Sequence, residues 1–261
     1  MKHTRAMATL ARSWRLLRSF RFEQTRPDIF YGGLAEDTAR LVSALVCDVG
    51  PSTARALDDA PSLAGTRVLD VGGGPGYFAQ AFARRGAQYF GVEPDAGEMA
   101  AAGISVSNAV RGDGTQLPFA DSTFDVTYSS NVAEHIPQPW AMAEEMLRVT
   151  KPGGLVIVSY TVWLGPFGGH ETGLWEHYVG GAFARDRYTR RHGHSPKNVF
   201  GTSLFALSAA AGLRWAAKTD TQNAKLLAAF PRYHPRWAWW VVRVPVLREF
   251  LTSNLVLVLR A

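Results

Sequence analysis

The sequence predicts an α/β fold, in which helices cover both faces of a mostly parallel β-sheet. Between residues 66 and 160, short apolar runs alternate with segments of helical periodicity, and this rhythm is typical of a parallel sheet. A glycine-rich turn, GGGPG at residues 72–76, joins the first apolar run to the first helical segment. With 261 residues, of which 47% are hydrophobic and 19% charged, the chain is large enough to bury a substantial core.

Two helices are predicted ahead of this alternation, and residues 1–60 are interpreted as an N-terminal helical cap. Residues 6–22 are amphipathic, and residues 34–47 carry apolar side chains at helical spacing with acidic residues near their start. In the first helix one face is predicted to hold Leu10, Trp14, Leu17 and Phe20, and the other Arg12, Arg15 and Arg18. A surface helix that packs on a domain shows such a pattern.

The alternating segments make up a predicted binding core at residues 61–160. Its strands are predicted at RVLDVG, YFGVEP, the residues before RGDGTQLPF, FDVTYSS and GLVIVSY, and its helices at YFAQAFARRG, around DAGEMAAAG and at PWAMAEEMLRVT. The KPGG sequence is expected to be structural, because Pro152 and Gly153 suit the middle of a type II turn.

The rest of the chain is predicted to form a lid and further strands. Residues 161–200 are irregular and rich in glycine, aromatic residues and histidine, so they are expected to lie over a bound ligand. Residues 201–261 are predicted to contain a helix near 202–212, a strand at LRWAAKTDT, an Arg- and Trp-rich insertion at 226–250 and a last strand at NLVLVLR.

Charge is distributed unevenly along the chain. Residues 1–26 hold seven basic residues and one acidic residue, residues 27–184 eight and eighteen, and residues 185–261 thirteen and three, so the net charges are +6, −10 and +10. A uniformly basic surface would suggest nucleic acid, whereas this pattern suits an acidic cofactor-binding centre with basic margins that meet an anionic partner. The single cysteine, Cys47, and the lack of a long apolar run lead us to expect a cytoplasmic protein.

The glycine-rich turn marks the expected ligand site. It directly follows the first strand, and open α/β sheets bind ligands at the carboxyl ends of their strands. The spacing is G-x-G-x-G rather than the G-x-G-x-x-G of dinucleotide-binding folds, which disfavours an NAD-dependent oxidoreductase. Glu93, at the end of the second strand, is placed to accept both hydroxyls of a ribose. Asp113, after the third strand, is placed to accept from an adenine amine.

Five short sequences follow one another in an informative order: DVGGGPG, VEPD, GDGTQLPF, NVAEHI and LRVTKPGG. Together they cover about residues 65–160, and this part of the chain resembles the class I S-adenosylmethionine-dependent methyltransferases, in particular the branch that includes the ubiquinone and menaquinone methyltransferases. The flanks SYTVWLGPFGGHE and FPRYHPRWAWW look like those of actinobacterial methyltransferases. The resemblance implies a Rossmann-like fold, a seven-stranded sheet with an antiparallel last strand, and S-adenosylmethionine (SAM) as the cofactor.

The resemblance also implies roles for individual residues. The methionine part of SAM would be held by Asp70 and by Gly72, Gly73, Gly74 and Gly76; the ribose by Glu93, with Pro94 beside it; the adenine by Gly112 and Asp113; and Ser130 and Asn131 would lie beneath the sulfonium. Acidic side chains suit this cofactor because its sulfonium and ammonium groups are positive. The alternative is that Asp70 and Glu93 are ordinary turn formers at strand ends.

Histidines are the candidates for acceptor chemistry. Transfer of a methyl group to oxygen or nitrogen often requires removal of a proton, and His135 and His170 are the predicted catalytic residues for that step. A capping or core role is the alternative for His135. Further polar residues of the lid are Glu171, Glu176, His177, His192 and His194. Their spacing matches no metal-binding pattern, so no metal is expected.

An aromatic and basic segment near the carboxyl terminus suggests a partner. It interleaves Trp237, Trp239 and Trp240 with Arg232, Arg236, Arg243 and Arg248. An anionic membrane interface favours tryptophan beside arginine, so peripheral membrane association is expected. Aromatic residues that line a substrate tunnel or a dimer interface would give the same pattern.

These expectations combine into a SAM-dependent methyltransferase. Its acceptor is expected to be a small molecule or a lipid-linked one: a lipid-linked or glycan hydroxyl, or a quinone-like ring. The alternative is a catalytically silent SAM-binding regulator, because its binding residues would look identical. No nucleic-acid partner is expected.

Overall fold

The computed structural model describes residues 1–22, 25–50, 62–100, 103–104, 106–220 and 224–261. One sheet lies at its centre. Its strands are β1 (Arg67–Val71), β2 (Gln88–Glu93), β3 (Ala109–Arg111), β4 (Phe124–Ser130), β5 (Thr150–Thr161), β6 (Lys225–Pro231) and β7 (Asn254–Arg260). They lie in the order β3-β2-β1-β4-β5-β7-β6, and β7 is antiparallel to both of its neighbours. The predicted seven-stranded, mostly parallel sheet is therefore confirmed.

Ten α-helices lie in the described part of the chain. They are α1 (Lys2–Met7), α2 (Leu10–Ser19), α3 (Pro27–Val49), α4 (Tyr77–Ala83), α5 (Ala96–Ala100), α6 (Pro139–Val149), α7 (Glu176–Val179), α8 (Gly181–His192), α9 (Ala209–Asp220) and α10 (Leu247–Leu251). Short 3-10 helices occur at Phe20–Phe22, Ala133–His135, His170–Thr172 and Arg236–Arg243. None of the helices described combines the length and the apolar run that crossing a bilayer requires.

The sheet separates two hydrophobic cores. Side chains of α3 and α4 pack on one face, where Leu45 and Phe82 are completely buried. Side chains of α6 and α9 pack on the other face, around Met142 and Ala216. The order of the strands reverses between β1 and β4, and the carboxyl ends of two such strands border a crevice that ligands use in open α/β sheets.

The N-terminal cap differs in detail from the predicted helix at residues 6–22. The helix is broken after Met7, because the Thr9 side chain caps a new helix by accepting a hydrogen bond from the backbone N–H of Arg12 (3.2 Å). The helix predicted at 34–47 is confirmed and is longer, since it begins at Pro27 and ends at Val49. Asp48 anchors α1 by accepting hydrogen bonds from the backbone N–H groups of His3 and Thr4.

The predictions for residues 202–231 were wrong in two places. Residues 213–220 of the LRWAAKTDT segment form the main part of α9 and are not a strand, whereas residue 221 lies outside the described residues. The helix predicted near 202–212 begins later, at Ala209. The alternation of Leu213, Arg214 and Trp215 imitates a strand, but the Glu249 carboxylate caps the first turn of α9 by accepting from the N–H groups of Ala209 and Ala210 (both 2.8 Å). The sixth strand is instead KLLAAFP, at the start of the predicted insertion at 226–250.

Two further predictions concern the segments after α6. The KPGG sequence was predicted as a type II turn, but it lies within β5, at an irregularity where the pairing with β4 shifts between Phe124 and Val126. Gly153 has the positive φ (+81°) that such a turn also requires. Residues 161–200, predicted as an irregular lid, contain α7 and α8. At the start of this segment, the backbone N–H of Thr161, the last residue of β5, donates to the Glu134 carboxylate (3.0 Å).

Candidate active site

The glycine-rich turn between β1 and α4 has a backbone that other residues adopt with difficulty. Gly72, Gly74 and Gly76 have φ values of +84°, +51° and +85°. A Cβ added to Gly72 would lie 2.3 Å from the side chain of Val132, whereas one added to Gly74 would have nothing within 4 Å. The turn therefore packs closely against the end of β4 on one side and is open at Gly74, as a cradle for a ligand must be.

Glu93 lies at the carboxyl end of β2 and faces this turn. Its carboxylate accepts hydrogen bonds from the backbone N–H of Gly74 (3.1 Å) and from that of Asp95 (3.2 Å). Pro94, which follows, accepts from Arg111 through its carbonyl oxygen (2.9 Å). Glu93, the residue predicted to bind the ribose, is thus held next to the glycine turn by contacts within this edge of the sheet.

Gly112 and Asp113 lie beside Glu93, at the end of β3. The Gly112 N–H donates to the carbonyl oxygen of Glu93 (3.2 Å), and a Cβ at Gly112 would come within 3.2 Å of Pro118 and Val92. Asp113 is exposed, and its Oδ1 accepts from the N–H and the hydroxyl of Thr115 (both 2.8 Å). The residues predicted to bind the adenine are therefore neighbours of Glu93, which is predicted to bind the ribose.

Ser130 and Asn131 close the other side of the crevice, at the end of β4. Asn131 has a φ of +57°, and its side-chain oxygen accepts from the Asn254 amide at the start of β7 (2.7 Å). The Ser130 hydroxyl accepts from the Arg232 guanidinium (2.5 Å). Their neighbour Val132 contacts the glycine turn, so the β1 and β4 parts of the predicted cofactor site are brought together.

Asp70 lies beneath the glycine turn and is only 2% exposed. The hydroxyls of Tyr128 (2.5 Å) and Tyr89 (2.7 Å) both donate to its Oδ2, and a Cβ at Gly73 would lie 3.3 Å from the same oxygen. Burial raises the pKa of Asp70 to about 7, although the two tyrosine hydrogen bonds oppose the rise. The structure thus gives Asp70 a second function that the sequence did not indicate, which is to support the turn from below.

The pKa of Asp70 predicts how stability depends on pH. Because the pKa is higher in the folded than in the unfolded protein, the folded state binds more protons between about pH 4 and 7, and the free energy of unfolding falls as the pH rises through that range. In the Asp70→Asn variant this contribution is absent. Urea unfolding at several pH values should show that the free energy of unfolding of the variant rises relative to that of the parent up to about pH 7 and not above it. If the free energies of unfolding of the parent and the variant changed with pH in parallel, the raised pKa of Asp70 would be contradicted.

Glu134, His135 and His170 form a polar cluster just beyond the carboxyl end of β4. One ligand atom from each residue lies within 4.8 Å of the others, and the two imidazole rings meet edge to face with centroids 5.0 Å apart. His135 Nδ1 pairs with the Ser203 carbonyl oxygen (2.7 Å), and His170 Nδ1 with that of Gly168 (3.2 Å). These carbonyls require Nδ1 to carry the proton, which leaves Nε2 of each neutral ring as an acceptor.

The environment of His170 favours its neutral imidazole form. Burial lowers the pKa of His170 below its usual value, although the Glu134 carboxylate opposes this shift. One oxygen of Glu134 accepts from the Thr161 N–H, and the other is buried without a hydrogen-bond partner. His170 has a φ of +50°, which is uncommon for a residue other than glycine and typical of strained functional sites. The arrangement suits proton transfer, and the expected absence of a metal stays a prediction.

The other polar residues of the predicted lid lie in separate places. Glu171 accepts from the backbone and side chain of Asn198, His177 is buried against the Gly165 carbonyl, and His192 stacks on Tyr188. Among the described residues they form no group with the spacing of metal ligands. Of the lid histidines, only His170 belongs to a described group with such spacing, together with Glu134 and His135.

Sequence analysis missed one residue of this region and misplaced another. Glu134 lies within NVAEHI, but nothing in the sequence indicates that it meets His170. Arg232 was predicted to face a membrane with the other arginines of its segment, but this was wrong: it is 2% exposed, and its side chain donates to the hydroxyls of Ser130, Ser159 and Thr38. Its Nε has no hydrogen-bond partner among the described residues. The position of Arg232 at the end of a strand was hidden because β6 was read as an insertion.

Comparisons with known proteins agree with this architecture. A family model described as a methyltransferase domain matches residues 69–158. A protein of Mycobacterium sp. (strain KMS), named as an uncharacterized methyltransferase, is 62% identical over 255 residues, which are 97% of this chain and 96% of the relative. One of the same description from Mycolicibacterium gilvum (strain PYR-GCK) is 63% identical over 257 residues, 97% of this chain and 95% of the relative.

Solved structures show a similar fold. An S-adenosylmethionine-dependent methyltransferase from Mesorhizobium loti superposes with a TM-score of 0.52 and 16% identity over 77% of this chain and 93% of that one. A protein from Listeria monocytogenes described as a methyltransferase of the same dependence gives a TM-score of 0.51 and 16% identity over 77% and 91%. These two similarities support the Rossmann-like fold.

Proposed function

The chain belongs to the family of these mycobacterial methyltransferases, and from this membership we propose that it transfers a methyl group from SAM to a hydroxyl of a small or amphiphilic acceptor. The observation that supports SAM best is the meeting of four strand ends at one edge of the sheet. There the glycine turn, Glu93, Asp113 and the Ser130–Asn131 pair surround a single crevice. Bound SAM supplies an electrophilic methyl group on a positive sulfur.

The residues of the crevice fit this cofactor. Gly74 leaves the backbone open where a side chain would stand in the way, and the Glu93 carboxylate next to it suits a pair of ribose hydroxyls. Asp113 offers a carboxylate to the adenine amine, and Asp70 lies below the turn where an ammonium would be attracted. These carboxylates repel phosphate, so they favour SAM over a nucleotide cofactor.

Arg232 is the candidate partner for the carboxylate of SAM. A buried guanidinium is costly unless an anion compensates it, and the partners of Arg232 in the structure are neutral hydroxyls. Since Ser130 accepts from Arg232, its own hydroxyl proton is free to point into the crevice. The pair Arg232–Ser130 then directs positive potential at the methionine end of the cofactor.

A comparison of two cofactors tests the role of Arg232. The Arg232→Met variant is expected to bind SAM about tenfold or more weakly, because a charge-assisted contact is lost. Decarboxylated SAM should bind the parent and the variant equally, and Arg232→Lys should retain most of the affinity for SAM. Calorimetric titration gives these five dissociation constants. An equal loss for both cofactors would mean that Arg232 supports the fold and does not interact with the carboxylate.

The polar cluster supplies the acceptor chemistry. His135 Nε2 takes the proton of the acceptor hydroxyl as the methyl group arrives, while the Ser203 carbonyl holds the ring in the required tautomer. His170 and Glu134 lie beside it and stabilise the imidazolium that forms. The proposal follows from the accepting nitrogen and the adjacent carboxylate, which together suit oxygen as the acceptor atom.

An apolar pocket beside the cluster favours an amphiphilic acceptor. It has a volume of about 440 Å³ and is lined mainly by Ala133, Ile136, Trp140, Phe205 and Leu207. This volume lies within the range of small-molecule sites. A lipid-linked or glycan hydroxyl fits an apolar pocket next to a base, and a quinone-like ring remains the second candidate because it also combines an apolar body with an oxygen.

Methyl transfer is tested with labelled SAM. The protein is incubated with lipid and glycan extracts, and mass spectrometry identifies products heavier by one labelled methyl group. A labelled product supports the proposal and names the acceptor. Tight SAM binding without any product would instead favour a silent regulator, and saturable NAD binding without SAM binding would favour an oxidoreductase.

A further inference from the structure

Helix α2 exposes its apolar side chains and buries an arginine. Leu10, Trp14 and Leu17 lie in solvent, and Trp14 is 55% exposed. Arg12 is buried and forms a bidentate ion pair with Asp37 of α3 (2.7 and 2.6 Å). The prediction that the arginines share one outward face was therefore wrong for Arg12. The helix packs on the domain through Arg12 and Leu16, which leaves its apolar stripe without a partner in the described structure.

A second aromatic segment lies next to the start of α2. Trp237 and Trp240, in the 3-10 helix Arg236–Arg243, are 69% and 52% exposed. The third tryptophan, Trp239, is turned inwards and stacks on Phe230 with ring centroids 4.4 Å apart. The backbone N–H of Arg236 donates to the Ala8 carbonyl (2.8 Å), so Trp237 and Leu10 belong to adjoining parts of one surface. We call this surface, made of Leu10, Trp14, Leu17, Trp237 and Trp240, the aromatic face.

Arginines border the aromatic face. Arg15 and Arg18 are exposed in α2 close in sequence to Trp14, and Arg236 and Arg243 are exposed in the 3-10 helix. No described carboxylate lies among the exposed residues of α2, whose sequence is LARSWRLLRS. Arg15 also approaches the Asp37 carboxylate (4.0 Å), which already pairs with Arg12. The face thus combines large apolar rings with exposed positive charge, in segments whose net charges are positive at both ends of the chain.

We propose that the aromatic face binds the surface of an anionic lipid bilayer. Tryptophan rings partition to the level of the headgroups, and arginines beside them attract anionic lipid. A protein partner would be expected to offer carboxylates and a shaped groove, whereas this face is a stripe of separate projecting rings between guanidinium groups. Binding through this face does not depend on catalysis, so it can be tested apart from the proposed function.

Sedimentation with vesicles tests the proposal on the full-length chain. The protein should sediment with vesicles of phosphatidylcholine and phosphatidylglycerol, remain in solution with phosphatidylcholine alone, and be released by added salt, because exposed charges are screened. The double variant Trp14→Ala/Trp237→Ala should bind at least tenfold more weakly. Arg15→Gln/Arg18→Gln should weaken binding roughly thirtyfold at low salt.

Matched controls come from other parts of the surface. Trp175 is 50% exposed beside α7, and Arg190 and Arg191 are in α8, so Trp175→Ala and Arg190→Gln/Arg191→Gln should bind vesicles like the parent. Because all of these side chains are exposed, large changes in melting temperature are not expected, and measured melting temperatures show which variants retain the fold. A parent protein that stays in solution with anionic vesicles at low salt overturns the proposal. A dimer that Trp14→Ala dissociates, without vesicle binding, overturns it as well and assigns the face to a second copy.

Discussion

Replacement of His135 by alanine is expected to lower turnover by about a hundredfold or more while the dissociation constant of SAM remains unchanged. The reason is that His135 Nε2 is the proton acceptor, whereas the predicted cofactor contacts come from other strand ends. Turnover is measured with the acceptor that the labelling experiment identifies, and SAM affinity by calorimetric titration.

A second variant distinguishes a chemical from a structural role. In His135→Asn the side-chain amide can still donate to the Ser203 carbonyl, as Nδ1 does in the parent, but nothing replaces the basic Nε2. Turnover should therefore be as low as in His135→Ala although the fold is supported. His192→Ala, which changes a histidine of α8, serves as the matched control. Normal turnover in His135→Asn would show that the hydrogen bond to the Ser203 carbonyl is sufficient and that His135 takes no proton.

Replacement of Glu93 by alanine is expected to weaken SAM binding about tenfold to a hundredfold. Two charge-assisted hydrogen bonds to the ribose would be lost, at about 1.5 to 3 kcal/mol in total. The Gly74 N–H would also lose its partner, so the glycine turn would be less well held before SAM arrives. Titration calorimetry with SAM and with its demethylated product measures both effects.

The matched control for Glu93 removes a similar charge elsewhere. Asp121 is exposed and lies beside Arg148, so Asp121→Ala should bind SAM like the parent. Glu93→Gln keeps the size of the side chain and should be intermediate, because an amide accepts hydrogen bonds without a negative charge. Unchanged SAM affinity in Glu93→Ala would remove this residue from the cofactor site.

Local patterns were sufficient for most of the sheet. The segments RVLDV and FDVTYSS are buried on both sides, so they read as short apolar runs, and the strand-end rule then placed Glu93 and Asp113 at one edge. KLLAAFP was missed because alanines favour a helix as readily as an edge strand, and LRWAAKTDT was misread because its helix is fixed by Glu249, far away in sequence.

Contacts between distant segments were beyond the reach of local patterns. His135 and His170 were both predicted as catalytic residues, but only the fold shows that their rings touch and that Glu134 joins them. Arg232 reaches Ser130 and Thr38 across two strands and a helix. The helical wheel of α2 identified the apolar stripe correctly. It did not show that this stripe faces solvent, because the ion pair of Arg12 with Asp37 decides which side of the helix is buried.

The placement of β7 between β5 and β6 restricts the order in which a nascent chain can assemble. The strands from β1 to β5 can pair as they leave the ribosome, since each finds its neighbour among segments already synthesised. Strand β6 emerges earlier than β7, but its only neighbour among the described strands is β7. It therefore cannot join the sheet until β7 has paired with β5. During that interval β6 and the free edge of β5 expose unpaired backbone, so this stage of synthesis is when the protein is most prone to aggregate and most in need of a chaperone.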